Sequence, residues 1–397
     1  MKDKYFCLFF SIYLFWEPIL FSILAALSAN ITSILMRLML VIIFLVSLHF
    51  FFSYKSVSER RPYLVVFFIL GFLYYLTHFF YDDTFKVENF YYGYFLRWGS
   101  DCLSACMLGA VFINIRDFSL MHKSLPFIAT VLTPFMMKTI MDNQVEMIEL
   151  KTENGFNYQN IAYFFAIMSC ISLYYSLISK YFKSKRVRFF LLLMAFIQIG
   201  CCAMSGGRGG FALLIVYFAY LTFVMKKRNV LTAQQMFLIV ILSALGVGFV
   251  AYYLGIVESS GFSRAQRLTL DEERAELYLA TYKVITESPI LGHGLGSVWF
   301  TVGFYTHNVF LDLLVETGLI GLLIILNVYI RVLRKVVLLT TYDDSFFVIM
   351  IFFIYGLVMN LVTGYWISTF SIWLALGCAL SFKKYWKLNK QSRVIIS

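Results

Sequence analysis

Long apolar runs separated by short polar breaks recur along the whole chain, and their length sets the class of fold. They fall near 5–25, 31–53, 62–81, 91–115, 125–141, 160–180, 188–204, 211–225, 231–257, 306–330, 345–363 and 366–382. Most approach the roughly 20 residues that a helix needs to cross a hydrocarbon layer about 30 Å thick. Inside such a layer every backbone polar group must be satisfied within the protein, and runs of this length do so as helices. The pattern predicts an all-α, polytopic membrane bundle of about twelve transmembrane helices, a single integral membrane domain over residues 1–397. One connection is long, residues 258–305, and long ordered loops tend to carry function. Within it, Asp271 to Thr286 reads as an amphipathic helix, with Arg274, Tyr278, Tyr282 and Ile285 at i, i+4, i+8 and i+11. Pro289 then ends the helix, and Gly292, Gly294 and Gly296 permit sharp turns back towards the membrane.

Composition agrees: 61% hydrophobic against 14% charged residues excludes a soluble globule. Charge adds orientation. Lys55, Arg60 and Arg61; Arg116 and Lys123; Lys180, Lys183, Lys185, Arg186 and Arg188; Lys226, Lys227 and Arg228; Arg331, Arg334 and Lys335; and the tail from Lys383 fall on alternate connections. Basic loops stay cytoplasmic, so both termini are expected in the cytoplasm and the 258–305 loop outside it. The net charge of +11 is then a product of topology, and nucleic-acid binding need not be invoked. Glu17-Pro18 interrupts the first apolar run, which argues for a retained span rather than a cleaved signal. The seven cysteines lie almost all in apolar runs; Cys102 and Cys106 share a helix face, but no His or carboxylate completes a metal set, so packing is their expected role and no metal site is predicted.

Candidate chemistry gathers on the outer face. Ser205-Gly206-Gly207-Arg208-Gly209-Gly210 joins two spans, and its glycines can let an anion approach backbone N–H groups and a guanidinium together; a tight turn with Arg208 at lipid headgroups is the plainer alternative. Arg264, Arg267 and Arg274 can bind a ligand or pair with Asp271, Glu272, Glu273 and Glu276. His307 stands at the expected start of the 306–330 span. At about 100° per residue it would lie within roughly 20° of Gly318 and 40° of Gly321, a small-residue stripe that lets a neighbouring helix approach. An imidazole, with an ordinary pKa near 6.5, can take a proton from a hydroxyl or simply anchor the interface. Two guanidiniums and one base on one side of the bilayer suit attack at a phosphate-linked carbon.

Arg208 in its Gly-rich turn, Arg274 upstream of Tyr278 and Ser288-Pro289, the Gly292-x-Gly294 turn, and His307-Asn308 followed by Gly318 and Gly321 resemble the O-antigen ligase/polymerase superfamily over about residues 200–330. One departure is Gly206-Gly207 ahead of Arg208, where the family more often has Ser directly before the arginine. The resemblance implies a GT-C-like, inverting, metal-independent membrane glycosyltransferase of the bacterial inner membrane. It would use undecaprenyl-pyrophosphate-linked oligosaccharide at the periplasmic face without a cofactor, with a chain-length regulator as a further partner. Arg208 and Arg274 would hold the donor pyrophosphate and His307 would act as base. Ser205, Gly207, Gly209, Tyr278, Asn308, Gly318 and Gly321 would support them, and Arg264 and Arg267 are additional candidates. The richness in Phe (43) and Tyr (27) leans towards a polymerase over a ligase acting on lipid A core. A lipid-linked oligosaccharide flippase is the rival of a different class. Arg97 with Asp101, and Asp312 with Glu316, would serve it; the same angles put Asp312 and Glu316 roughly 140° and 180° from His307, as bundle hydrogen-bonders.

Overall fold

Helix follows the apolar runs wherever the chain is described. The computed structural model describes residues 1–20, 32–56, 59–60, 62–63, 65–66, 69, 71–72, 98–142, 158–205, 207–228, 272–303, 305–362, 364–366 and 369–382. In chain order the α-helices are α1 (Lys2–Leu14), α2 (Thr32–Tyr54), α3 (Leu103–Phe112), α4 (Ser119–Asp142), α5 (Tyr158–Leu173), α6 (Lys185–Met204), α7 (Arg208–Lys227), α8 (Glu272–Glu287), α9 (Val298–Thr301), α10 (Val309–Tyr342), α11 (Phe347–Val362) and α12 (Phe370–Phe382). Single π-helical turns precede α3 at Trp98–Cys102 and follow α5 at Tyr174–Ile178. No strand occurs among the described residues.

Five of these helices are long and apolar enough to cross a membrane: Gln159–Ile178, Lys185–Met204, Arg208–Lys227, Val309–Thr341 and Asp344–Val362. The chain is therefore a multi-pass, all-helical membrane protein. The expected runs at 231–257 and most of 62–81, the loop residues up to 271 with Arg264 and Arg267, and the tail from 383 lie outside the described residues. One boundary differs in kind. The run expected to end at 330 continues as helix to Tyr342, through Arg331, Arg334 and Lys335. Arg and Lys are good helix formers, so a basic cluster without Gly or Pro has no means of stopping the helix.

Two compact units form: Met1–Leu38 with Arg116–Leu268, and Met39–Ile115 with Thr269–Ser397. In the first unit α5, α6 and α7 pack side by side. A fully buried amide fixes α4, α5 and α6: Gln198 Oε1 accepts from Ser172 Oγ at 2.9 Å, and Nε2 donates to Thr133 Oγ1 at 2.9 Å and the Ala129 carbonyl at 3.3 Å. Its polar atoms are satisfied where water is absent, and it ties three helices in register. In the second unit α3 meets α12 backbone to backbone. A Cβ at Gly109 would overlap the Leu374 carbonyl, and one at Gly377 would overlap that of Cys106. Cys378 Sγ donates to the Gly109 carbonyl at 3.1 Å, and the buried Lys55 Nζ to Ser381 Oγ at 2.8 Å.

Candidate functional site

Asn308 opens α10. Its Oδ1 accepts the Phe310 N–H at 3.0 Å, an N-cap that takes up one of the donors a helix start leaves free. His307 thus stands outside the helix, with φ 58°, the one non-glycine residue with positive φ among the described residues. Such backbone costs a side-chain-bearing residue on the order of 1–3 kcal/mol and persists only where its surroundings dictate it. Here they do. The Thr306 N–H donates to Asp312 Oδ1 at 2.7 Å, the Thr306 hydroxyl lies 2.8 Å from that oxygen, and the Asn308 N–H reaches back to the same hydroxyl at 3.3 Å. Thr306 and Asp312 are fully buried. Asp312 Oδ2, equally buried, has no hydrogen-bond partner among the described residues.

Angles counted on a helix that runs through His307 put it on the Gly318 stripe and Asp312 and Glu316 on a separate face, and the structure corrects this. The helix begins at Val309, so the wheel does not apply to His307, and Asp312 reaches back to the residue immediately before it.

Gly318 also plays another part. At φ 61°, ψ −167° it breaks α10, a conformation essentially reserved for glycine. A break within a membrane helix strands carbonyls on one side and N–H groups on the other. Residues 289–294 fill both needs. The His293 and Gly294 N–H groups donate to the Val315 and Glu316 carbonyls at 2.8 Å each, while the Leu319 and Ile320 N–H groups donate to Pro289 and Ile290 at 2.9 and 3.3 Å. The approach is backbone to backbone: a Cβ on Gly318 would overlap the Ile290 carbonyl, and one on Gly292 would lie 2.5 Å from the Glu316 carbonyl carbon. The stripe therefore admits a loop, where a neighbouring helix was expected. At Gly321 the nearest neighbour of an added Cβ is the Thr317 side chain of its own helix, which it would overlap Cβ to Cβ. His293, given no role from the sequence, also bonds through Nε2 to the Val284 carbonyl at 3.0 Å and so holds the end of α8 against α10.

Glu316, buried, accepts from the Tyr365 hydroxyl and from Trp366 Nε1 at 3.1 Å. Tyr365 lies against Trp299 and Tyr305 at ring separations of 5.7 and 6.0 Å, and the Tyr305 ring meets His307 edge-on at 4.6 Å. The two acidic residues of α10 thus support the His307 turn from opposite directions, Asp312 through Thr306 and Glu316 through aromatic rings. Arg274 falls in the first turn of α8, which spans Glu272–Glu287 against the expected Asp271–Thr286; Tyr278 and Tyr282 of the same helix are exposed.

Arg208 belongs to the first unit, as the exposed first residue of α7 behind the Gly207 N-cap. Ser205 turns back on α6, its Oγ donating to the Cys202 carbonyl at 2.7 Å. Gly209 and Gly210 are helical, and what they supply is space: a Cβ on Gly209 would overlap the Tyr163 hydroxyl, and one on Gly210 would lie 2.5 Å from Ala162 Cβ. The start of α7 is thereby pressed onto α5, with the exposed Arg208 as its first residue at a helix N-terminus, an end that favours anions. Among the described residues no group of three or more His, Cys, Asp or Glu side chains could hold a metal ion.

Neither curated proteins nor solved structures match the chain. Residues 189–326, which run from α6 through both glycines of α10, match the family model described as O-antigen ligase, and this match supports the resemblance to the O-antigen ligase/polymerase superfamily.

Proposed function

We propose that the protein is an inner-membrane polysaccharide polymerase that moves a growing glycan from undecaprenyl pyrophosphate onto an incoming lipid-linked repeat unit at the periplasmic face. The His307 backbone carries this reading: it is held in a costly conformation by Thr306 and Asp312, directly ahead of an N-capped helix. Strain of this kind collects where a side chain must be presented in one direction.

In the proposed reaction the His307 imidazole takes the proton of the acceptor hydroxyl. The acceptor oxygen forms a bond to the donor's anomeric carbon, the bond from that carbon to the pyrophosphate oxygen breaks, and undecaprenyl pyrophosphate leaves with the electron pair, inverting the centre. Arg208 and Arg274 grip the pyrophosphate as negative charge grows on it, a task that suits planar guanidiniums. Arg208 brings in addition the start of α7. Lys and Arg on the connections after α5 and α7 support cytoplasmic placement of those turns, and hence periplasmic placement of the Arg208 turn and the 258–305 loop. Transfer onto lipid A core, a ligase reaction, is the second reading, favoured by the description of the matched family. Both share the donor and so the arginines.

Turnover of purified lipid-linked repeat units by His307→Gln between about pH 5.5 and 8.5 tests the base. Gln keeps size and hydrogen bonding but not basicity, so a loss on the order of 10²–10⁴ with donor affinity retained is expected. Near-normal turnover would refute the assignment. Wild-type protein separates the two transfers. Lipid-linked polymer formed from repeat units alone is the polymerase outcome, and product appearing only when lipid A core is added is the ligase outcome.

A further inference from the structure

Helix α8 has more apolar surface than the protein covers. Thr281 is buried and Val284 and Ile285 are half-buried, which defines its packed side. Glu276, Lys283 and Glu287 recur at i, i+7 and i+11, a single charged stripe. Between the two lies a third, largely apolar and bare face: Leu279 and Tyr282 are each 65% exposed, the exposed Thr286 lies between them in angle, and the turn that follows adds Ile290 at 60% and Leu291 at 72%.

Two observations say what covers this face. The first is continuity. Pro289 and Ile290 are bonded through their carbonyls to Leu319 and Ile320 of α10, and Leu319, Ile320, Leu323 and Ile324 are themselves exposed along a membrane-crossing helix. The bare surface of Leu279, Tyr282, Ile290 and Leu291 therefore leads onto lipid-facing surface. The second is depth. Arg331 and Arg334 are exposed and mark where α10 emerges from hydrocarbon at its other end. From Gly318 to Arg331 the helix rises about 20 Å, whereas the apolar layer is about 30 Å thick. That leaves roughly 10 Å on the Gly318 side, so the 289–294 turn lies some 5–10 Å inside the boundary of the layer, the depth at which apolar faces of interfacial helices seat.

From this we infer that α8 and the turn after it form an interfacial wedge: the face carrying Leu279, Tyr282, Ile290 and Leu291 is embedded in the lipid boundary, and the Glu276–Lys283–Glu287 stripe faces water. The inference does not depend on which transfer reaction the protein performs.

Nitroxide labels at Leu279→Cys, Tyr282→Cys, Leu291→Cys and Lys283→Cys test it in the full chain, reconstituted into phosphatidylcholine vesicles free of lipid-linked glycan. The seven native cysteines are buried, so labelling is directed to the introduced ones. Labels at the three apolar sites should collide more often with oxygen than with a water-soluble nickel chelate and report a depth of about 5–10 Å, with the order reversed at Lys283. Free access of the nickel chelate to all four sites would overturn the wedge in favour of a solvated loop. Exclusion of both reagents would mean a protein partner or second copy, and a lipid signature appearing only after lipid-linked glycan is added would mean that the face holds the carrier's polyprenyl chain; either result also overturns it.

Discussion

Gly318 and Gly321 look equivalent in the sequence, and the structure predicts that alanine costs more at Gly318. At Gly318 the φ of 61° and ψ of −167° are costly for alanine by about 1–3 kcal/mol. The added methyl also overlaps the Ile290 carbonyl, and relieving that contact opens the bonds from Leu319 to Pro289 and from Ile320 to Ile290. At about 0.5–1.5 kcal/mol net for each bond, the sum is about 2–6 kcal/mol, a large share of the roughly 5–15 kcal/mol that holds a typical protein together. Alanine at Gly321 also overlaps a close neighbour, the Thr317 Cβ, which rotation of that side chain does not move, but it sits on helical backbone and opens no bond to the 289–294 segment. Thermal unfolding of the detergent-purified protein, followed with a dye that fluoresces on reacting with exposed thiols, reads both variants through the seven buried native cysteines. Gly318→Ala should lower Tm by roughly 4–15 °C and Gly321→Ala by clearly less. Equal shifts in the two variants, or an unchanged midpoint for Gly318→Ala, would show that the loop does not brace the broken helix.

Asp312→Ala removes the acceptor that fixes Thr306; turnover should fall on the order of 10²-fold through misplacement of His307, while Asp312→Asn, which still offers an oxygen, should recover most of it, as steady-state kcat on reconstituted protein will show. Arg208→Lys keeps the charge but not the planar fork, so polymer length on glycan gels should collapse at unchanged protein level; a normal ladder would make Arg208 a headgroup anchor. Gln198→Ala should destabilise the first unit by about 1–2 kcal/mol, since membrane hydrogen bonds are individually modest and Thr133 retains its own bond to Ala129, a difference measurable by denaturant titration.

Much of the helical framework is legible in the sequence because membrane spans and interfacial helices are specified by local hydropathy. Helix α8 fell within one residue of expectation at each end, with Pro289 marking its stop. His307 was misplaced by two residues, although the signal was present: Asn308 followed by Val309 is an N-cap before an apolar run, and reading it so puts His307 outside the helix. The Gly318 break had no such signal. A lone glycine is tolerated inside a helix, and what distinguishes this one is the 289–294 segment more than twenty residues earlier. The partners of Glu316 are more remote still, Tyr365 and Trp366 being 49 and 50 residues away, so its support of the aromatic cluster follows from no local pattern. The glycines around Arg208 were read as backbone freedom, but Gly209 and Gly210 answer to Tyr163 and Ala162 on α5, a requirement visible only after the helices have packed.

The seam between α3 and α12 sets a timetable for biogenesis. Gly109 and Cys378, which meet across it, are separated by 269 residues, and Lys55 is 326 residues from its partner Ser381. At roughly 5–20 residues per second the ribosome needs on the order of 15–50 s to make the chain between the two sides of the seam. During that interval α5, α6 and α7, consecutive in the chain, can already pack on one another. The first-made helix of the α3–α12 pair must wait in the bilayer, its glycine face covered by something else, until α12 arrives. Without α12 the glycine face of α3 would have no backbone to meet, so deleting residues 370–382 should unsettle the second unit and leave the packing of α5, α6 and α7 intact.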